Sequence, residues 1–229
     1  MTYVLSDIHG NYRRFRSILE QIDLGPQDTL YVLGDVIDRH PAGVELLQRL
    51  LAMPNVRLLL GNHEYMMLRA MGCPRDDNPD DGGALSHWYR NGGEVTHRAL
   101  LSLPEQQRQQ LLEEVGQLPL SYRVCIGEKT YRLVHVAPEE SWAGERPYKN
   151  PLYYGVWKRL EGTETFPGDQ TLIFGHTPTR YYQDTKPLRI WYGPKMIGID
   201  CGSGYPQGSP GRLACLRLED GREFYSREK

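Results

Sequence analysis

Three short apolar runs in the first sixty residues each stop at a polar cluster. Tyr3-Val4-Leu5 runs into Ser6-Asp7-Ile8-His9-Gly10. Leu30-Tyr31-Val32-Leu33 runs into Gly34-Asp35, followed by Asp38-Arg39, and Val56 to Leu60 runs into Gly61-Asn62-His63-Glu64. Continuous apolar runs of this length predict strands covered on both faces, as in parallel sheets. Between the first two, Phe15, Ile18, Leu19 and Ile22 fall at i, i+3, i+4 and i+7, one face of a helix. Asn11 is the expected N-cap and Gly25-Pro26 the stop. Pro41 suits the first turn of a second helix that carries Val44, Leu47 and Leu51 inward until Pro54-Asn55. Tyr65 to Ala70 reads as a third helix. A βαβαβα order implies a parallel sheet with right-handed crossovers, whose strand C-terminal ends share one edge. The three polar clusters would then meet there.

The next stretch changes character. Cys73 to Gly83 is a loop rich in Pro, Gly and Asp. A helical insert carrying Leu85 and Trp88 follows, then the turn Asn91-Gly92-Gly93. Ser102-Leu103-Pro104-Glu105 predicts a capping box that opens a helix to about Val115. Residues 72–117 are expected to cap the site. The second half is strand-rich. Tyr122 to Ile126 and Tyr131 to Val136 flank a hairpin turn, with His135 near the end of the second strand. Asn150-Pro151 opens a short helix through Trp157-Lys158-Arg159, and Thr171 to Phe174 ends at Gly175-His176-Thr177-Pro178. Further strands are expected over Arg189 to Tyr192, Met196 to Ile199, Leu213 to Leu218 and Glu223 to Tyr225. No repeat, low-complexity segment or linker divides the 229 residues, so the expectation is one domain over 1–229.

Composition narrows the class. A formal net charge of -2 supplies no field to recruit nucleic acid or an anionic membrane. No apolar run approaches the roughly 18 residues of a membrane span, and the chain enters strand-like sequence at once, so no secretory leader is expected. Four cysteines lack C-x-x-C spacing, which argues against thiolate zinc and a disulfide scaffold. The expectation is a reduced, cytoplasmic protein.

The chemistry sits at the strand ends. Asp35, Asp38 and Arg39 at the tip of a buried strand are costly unless something there needs them. A metal cation and a phosphate would satisfy all three, with Asp35 as ligand, Asp38 orienting a neighbour and Arg39 forked onto phosphate oxygens. A polar turn whose Asp caps the next helix is the plainer alternative. Asp7 and His9, at i and i+2 in an extended segment, point the same way. Together with Asn62, His63, His135 and His176 they form an imidazole and carboxylate set that suits Mn, Fe or Zn better than Ca or Mg. There are donors enough for two ions, and Asp35 could bridge them, the arrangement that clamps an in-line displacement at phosphorus. Taken singly, Asp7 could cap a helix, His135 and His176 could be satisfied core histidines, and His63 could be a ligand. Glu64 is expected to support the ligands or form a structural ion pair. His40, His87 and His97 are expected at the surface or hydrogen-bonded, and the Asp76-Asp77 and Asp80-Asp81 run in a solvated loop.

Five blocks occur in order: SDIHG, GDVIDRH, GNHE, VHVAP and GHTP. The set resembles the phosphoprotein phosphatase branch of the calcineurin-like metallophosphoesterases, and IDCGSGY with GRLACLRLEDG is similar to the closing strands of small bacterial and phage members. The resemblance implies an α/β (α+β) fold: a central β-sandwich of mixed sheets flanked by helices, with a dinuclear metal site at strand C-terminal ends. It implies two divalent ions, Mn2+ with Fe or Zn as substitutes. Asp7, His9 and Asp35 would hold the first ion, and Asp35, Asn62, His135 and His176 the second. A metal-bridging hydroxide would attack phosphorus directly, with His63 as general acid oriented by Asp38. Arg39 and Arg159 would bind phosphate oxygens, beside Asn62 and His63. The implied partner is a phosphorylated protein or a small phosphate ester, and the leading expectation is a Ser/Thr phosphoprotein phosphatase. The alternatives are symmetrical hydrolysis of diadenosine tetraphosphate and a catalytically silent binding module. Ser6 and His40 stand where the family has glycine, and His40, with Pro41 behind it, is expected to reshape the wall beside Arg39.

Overall fold

Alternation along each strand decides which core it feeds. In the computed structural model, which describes residues 1–74, 82–137, 151–166 and 168–227, ten strands form two mixed sheets of five. The expected acidic loop run at Asp76, Asp77, Asp80 and Asp81, and Pro138 after the His135 strand, lie outside the described residues. In the first sheet β1 (Thr2–Leu5), β2 (Thr29–Val32) and β3 (Val56–Leu58) run parallel in that order. They are joined by α1 (Tyr12–Ile22) and α2 (Gly43–Ala52) and followed by α3 (Asn62–Ala70). The βαβαβα expectation is borne out. Two C-terminal strands, β9 (Ala214–Arg217) and β10 (Glu223–Tyr225), extend the sheet antiparallel beyond β1.

The second sheet holds β4 (Ser121–Ile126), β5 (Lys129–Val134), β6 (Thr171–Phe174), β8 (Met196–Gly198) and β7 (Trp191–Gly193), in that order. Tyr3 and Leu5 face the helices, whereas Val4 between them faces the second sheet. Leu133 and Ile173 meet Val4, Ala214 and Leu216 in the inter-sheet core. Leu172, Phe174 and Met196 point the other way, into a third cluster with Val136 and Leu160. Both faces of the parallel strands are therefore covered, one by helices and one by a sheet, which accounts for their unbroken apolar runs.

Several local expectations shift. Asn11 does cap α1, its side chain accepting from Arg14 N at 3.2 Å. Helix α2 begins at Gly43, two residues past Pro41, and buries Val44, Leu46, Leu47 and Leu50, with Leu51 only partly covered. Three helices fill the insert: α4 (Ala84–Arg90), α5 (Glu94–Leu101) and α6 (Glu105–Gly116). The expected capping box does not form. Pro104 occupies the N-cap of α6, and the Ser102 hydroxyl instead donates to Arg98 O at 2.9 Å, closing α5. Trp88, Leu100, Leu111 and Val115 are buried in the core that α3 shares, while Leu85 is exposed. The short helix α7 (Pro151–Trp157) stops two residues before Arg159, which was expected at its end. No helix among the described residues is long and apolar enough to cross a membrane.

Gly34 ends β2 at φ +86°, and a Cβ there would meet the Gly61 backbone at 2.6 Å. Gly208 has a similar φ of +82° with open space around it. Gly34→Ala should therefore cost about 3 kcal/mol or more, torsional strain plus overpacking, and Gly208→Ala about 1 kcal/mol. Denaturant titrations of the two variants measure the difference. Equal losses would mean that the close approach of the two loops is not a constraint.

Candidate active site

The site residues occupy backbone that side chains ordinarily avoid. Asp7 and His9 after β1, Asp35, Asp38 and Arg39 after β2, and His176 after β6 all have φ between 52° and 71°. Among the described residues only Asp23 and Lys195 are other non-glycine residues with positive φ. Such conformations cost on the order of 1–3 kcal/mol each and persist only where the surroundings dictate them. Here the β1–β2 ladder runs on into the loops: Asp7 N donates to Gly34 O at 3.1 Å and His9 N to Asp35 O at 2.9 Å. The Glu64 carboxylate, in the first turn of α3, accepts from Asp35 N at 2.9 Å, Val36 N at 2.8 Å and Gly61 N at 3.1 Å. Glu64 thus grips the backbone that carries Asp35, the supporting one of its two expected roles, and makes no ion pair among the described residues. Burial, then the Asp35 charge, push its carboxyl up to about 7 against the pull of those N–H groups.

The imidazoles show what the site lacks. His9 Nδ1 lies 3.1 Å from Ile37 O, and His135 Nδ1 lies 2.6 Å from Leu33 O. Carbonyls only accept, so both rings carry the proton on Nδ1. In the neutral form each Nε2 then turns a lone pair on other acceptors. His135 Nε2 faces Asn62 Oδ1 at 3.0 Å and Asp35 Oδ1 at 3.4 Å, and His9 Nε2 faces Asp35 Oδ2 at 3.8 Å and Asp7 Oδ1 at 3.9 Å. Protonation does not relieve the conflict. Burial pushes His9, His135 and His176 down, His176 to about 3, and Arg39 or a neighbouring imidazole adds to it. Burial alone would raise the Asp35 carboxyl, but four imidazoles, His135 foremost, hold it below the carboxylate range. His176 Nε2 is buried with no hydrogen-bond partner among the described residues. Convergent lone pairs with no proton among them are a cation's environment.

Two donor groups have ligand atoms all within 4.8 Å of one another: His9, Asp35 and His63, and Asp35, His135 and His176. Asp35 belongs to both, so the donor set fits two cations sharing that carboxylate. The second group is the expected one, with Asn62 Oδ1 at 2.8 Å from His176 Nδ1. In the first, His63 stands where Asp7 was expected. Asp7 is nearby, buried, and accepts from the Ser6 hydroxyl and from His176 N at 3.0 Å.

His63 Nδ1 meets Asp38 Oδ2 at 2.6 Å, and its Nε2 lies 3.2 Å from Arg39 Nη2. Burial opposes charge on this ring, but Asp35 and the Asp38 hydrogen bond outweigh it and raise its pKa. The same Asp38 Oδ2 accepts from the fully buried Trp88 indole at 2.8 Å, and Asp38 N donates to Thr96 Oγ1 at 3.0 Å. Sequence reasoning found no chemistry in this insert. Its contacts with Asp38 span 50 and 58 residues, and no spacing signals them.

A cavity of about 180 Å³ opens over these groups. Arg39 and Arg159 line it as expected, and so do Arg180, Tyr181, Asp200 and Tyr205, which were not singled out. Asp200 follows β8, so the strand-end rule that found the other carboxylates reaches it too. Burial pushes it up to about 6, although Gly202 N donates to it at 2.8 Å. His40 lines a different cavity, with Gly10, Asn11 and Arg14, and does not form the wall beside Arg39.

Comparison with known proteins matches residues 2–197 to the calcineurin-like phosphoesterases. A symmetrical bis(5'-nucleosyl)-tetraphosphatase of Erwinia tasmaniensis is 42% identical over 97% of this chain and 96% of its own length. A protein of the same name from Acidovorax ebreus is 29% identical over 82% of this chain, which spans only 62% of that relative. Among solved structures, a candidate diadenosine tetraphosphatase superposes with a TM-score of 0.63 at 18% identity, over 98% of this chain and 91% of the other.

Glu64→Gln replaces one of two accepting oxygens with a donor, so backbone N–H groups lose their partner in a buried place. The expected cost is about 3 kcal/mol, together with a lower metal content by elemental analysis. A variant of full stability that still loads metal would remove Glu64 from this role.

Proposed function

Because the chain belongs to the calcineurin-like phosphoesterase family, we propose that it is a two-metal hydrolase whose substrate is a dinucleoside polyphosphate such as diadenosine tetraphosphate, split at its centre. The carrying observation is the similarity to a symmetrical tetraphosphatase along nearly the whole of both chains. This reverses the order expected from the motifs alone, which put phosphoproteins first.

His9 and Asp35, with Asp7 beside them, would hold one cation, and Asp35, Asn62, His135 and His176 the other; manganese suits the mixed N and O donors, as do iron and zinc. When bound, the cations supply a water acidic enough to attack phosphorus and neutralise charge on the phosphate. The backbone carbonyls of Ile37 and Leu33 fix the ligating face of His9 and His135. Arg39 forks onto oxygens of the reacting phosphate, with Arg159 as the second arginine. The bond from the attacked phosphorus to the central bridging oxygen breaks, water oxygen takes its place, and two nucleoside diphosphates result. His63, held by Asp38, would offer the departing oxygen a proton from Nε2, a help that a phosphate needs far less than an alkoxide does.

The second reading, a phosphoserine or phosphothreonine substrate, is favoured by the His63–Asp38 pair itself. An alkoxide needs a proton as it leaves, whereas a phosphate whose second pKa is near 6 leaves as a stable anion. Turnover of diadenosine tetraphosphate and of a phosphopeptide panel by manganese-loaded protein, compared side by side, separates the two. The expected result is kcat/KM at least about tenfold higher for the dinucleotide, with ADP as sole nucleotide product and loss of turnover after chelation. The reverse order would establish the phosphoprotein reading.

His63→Asn separates the proton's role from metal binding. Metal content should hold, phosphopeptide turnover should fall roughly 10²–10⁴-fold, and dinucleotide turnover should fall much less. Equal losses on both substrates would remove His63 as the acid.

A further inference from the structure

One wall of the cavity is not used by the chemistry above. Arg180 and Tyr181 sit in a 3-10 turn, Thr179–Tyr181, shortly after His176. The Arg180 guanidinium lies 5.3 Å from the Tyr181 ring centre and 5.0 Å from that of Tyr205, and the Arg159 guanidinium lies 5.4 Å from the Tyr181 ring centre. Tyr205 is fixed by glycines: a Cβ on Gly202 would come within 2.8 Å of its ring. Tyr181 is 57% exposed at the cavity mouth, a large aromatic face left in water.

Charge and size both point to a ligand longer than one phosphate. Three guanidiniums line the cavity against two carboxylates, Asp35 and Asp200, and Asp35 is committed to the cations. A single phosphoryl group is served by the cations, Arg39 and Arg159, which leaves Arg180 over. The cavity, about 180 Å³, is smaller than the ~300 Å³ or more of sites that enclose a drug-sized ligand. Nucleosides must therefore lie outside it, where Tyr181 offers a face.

Resting on the dinucleoside polyphosphate reading, we infer that Arg180 and Tyr181 form a subsite for one nucleoside diphosphate half of the substrate. Arg180 takes the phosphate next to the nucleoside, and the Tyr181 ring stacks on the base. The guanidinium fits a phosphate through paired N–H groups. Aromatic stacking is indifferent to base identity, so the subsite accepts any purine or pyrimidine half.

The test uses the full chain loaded with manganese and p-nitrophenyl phosphate, which has neither a second phosphate nor a base, as the reference substrate. ADP and inorganic pyrophosphate serve as competitive inhibitors. Arg180→Gln should weaken inhibition by both, about tenfold or more, and Tyr181→Ala should weaken inhibition by ADP alone by about tenfold. The ratio of kcat/KM for diadenosine tetraphosphate to that for p-nitrophenyl phosphate should fall in step in both variants. If wild-type protein cleaves the dinucleotide but neither inhibitor constant moves, the subsite alone is wrong. Uniform losses on every ligand and on the reference substrate also overturn it, because they mark a structural role. If wild-type protein leaves the dinucleotide intact, the reading beneath the subsite fails and the subsite with it.

Discussion

The Glu64 carboxylate holds the site's geometry together. One oxygen takes Asp35 N and Gly61 N, and the other takes Val36 N, with Ile37 N at 3.4 Å. Four amide groups from two separate loops thus share one buried anion. The turn after β2 is tied to the first turn of α3, and Asn62 and His63 follow immediately in that turn. Asp35 Oδ1 in turn accepts from His63 N at 3.0 Å. The two loops are close enough that neither Gly34 nor Gly61 has room for a Cβ. The carboxylate of Asp35 reaches both donor groups because its backbone is pinned on both sides.

This pinning explains how six site residues tolerate left-handed backbone. At roughly 1–3 kcal/mol each, the torsional cost is comparable to the 5–15 kcal/mol net stability of a typical domain. It has to be offset locally, and the hydrogen bonds that continue the β1–β2 ladder beyond both strands do so. The effect of the strain is directional. An extended chain would alternate its side chains to opposite faces. Asp7 and His9, two residues apart, would share a face even if extended, but Asp35 and Asp38, three apart, would not; the left-handed kinks turn all four to one side of the strand edge. Strain and function share one cause here.

Much of the architecture was legible because it obeys short-range rules. The βαβαβα order, the strand ends as the chemical edge, and the gathering of His9, Asp35, Asn62, His63, His135 and His176 all follow from apolar runs ending in polar clusters. What covers the other face of the parallel strands was not legible from those runs, since an unbroken apolar strand reads the same beneath helices or beneath a sheet. The mixed sandwich was expected from family resemblance alone. Trp88 and Thr96 were missed for a different reason. A lone Trp in an amphipathic helix is ordinarily core, and this one is both core and a hydrogen-bond donor to Asp38. Asp200 could have been found, because it ends a strand as Asp7 and Asp35 do. Arg180 and Tyr181 follow the GHTP block in a turn with no periodicity, and only the fold brings them to the cavity.

The charge balance of the site has a consequence for the fold. Asp7 and Asp200 are both raised, by burial first and then, among other groups, by the Asp35 carboxylate. Asp200, at about 6 against ~4 for an unperturbed carboxyl, binds a proton on folding between those values. Its contribution to the metal-free protein is therefore unfavourable to the fold as pH rises through that window. Cations at the donor groups reverse the local field, because positive charge beside buried carboxylates favours their ionised form. Metal uptake must then release protons and weaken in acid. Carboxylates crowded at one strand edge are unfavourable to the empty fold and favourable to the loaded one, so the same residues that make the site reactive also link stability to metal.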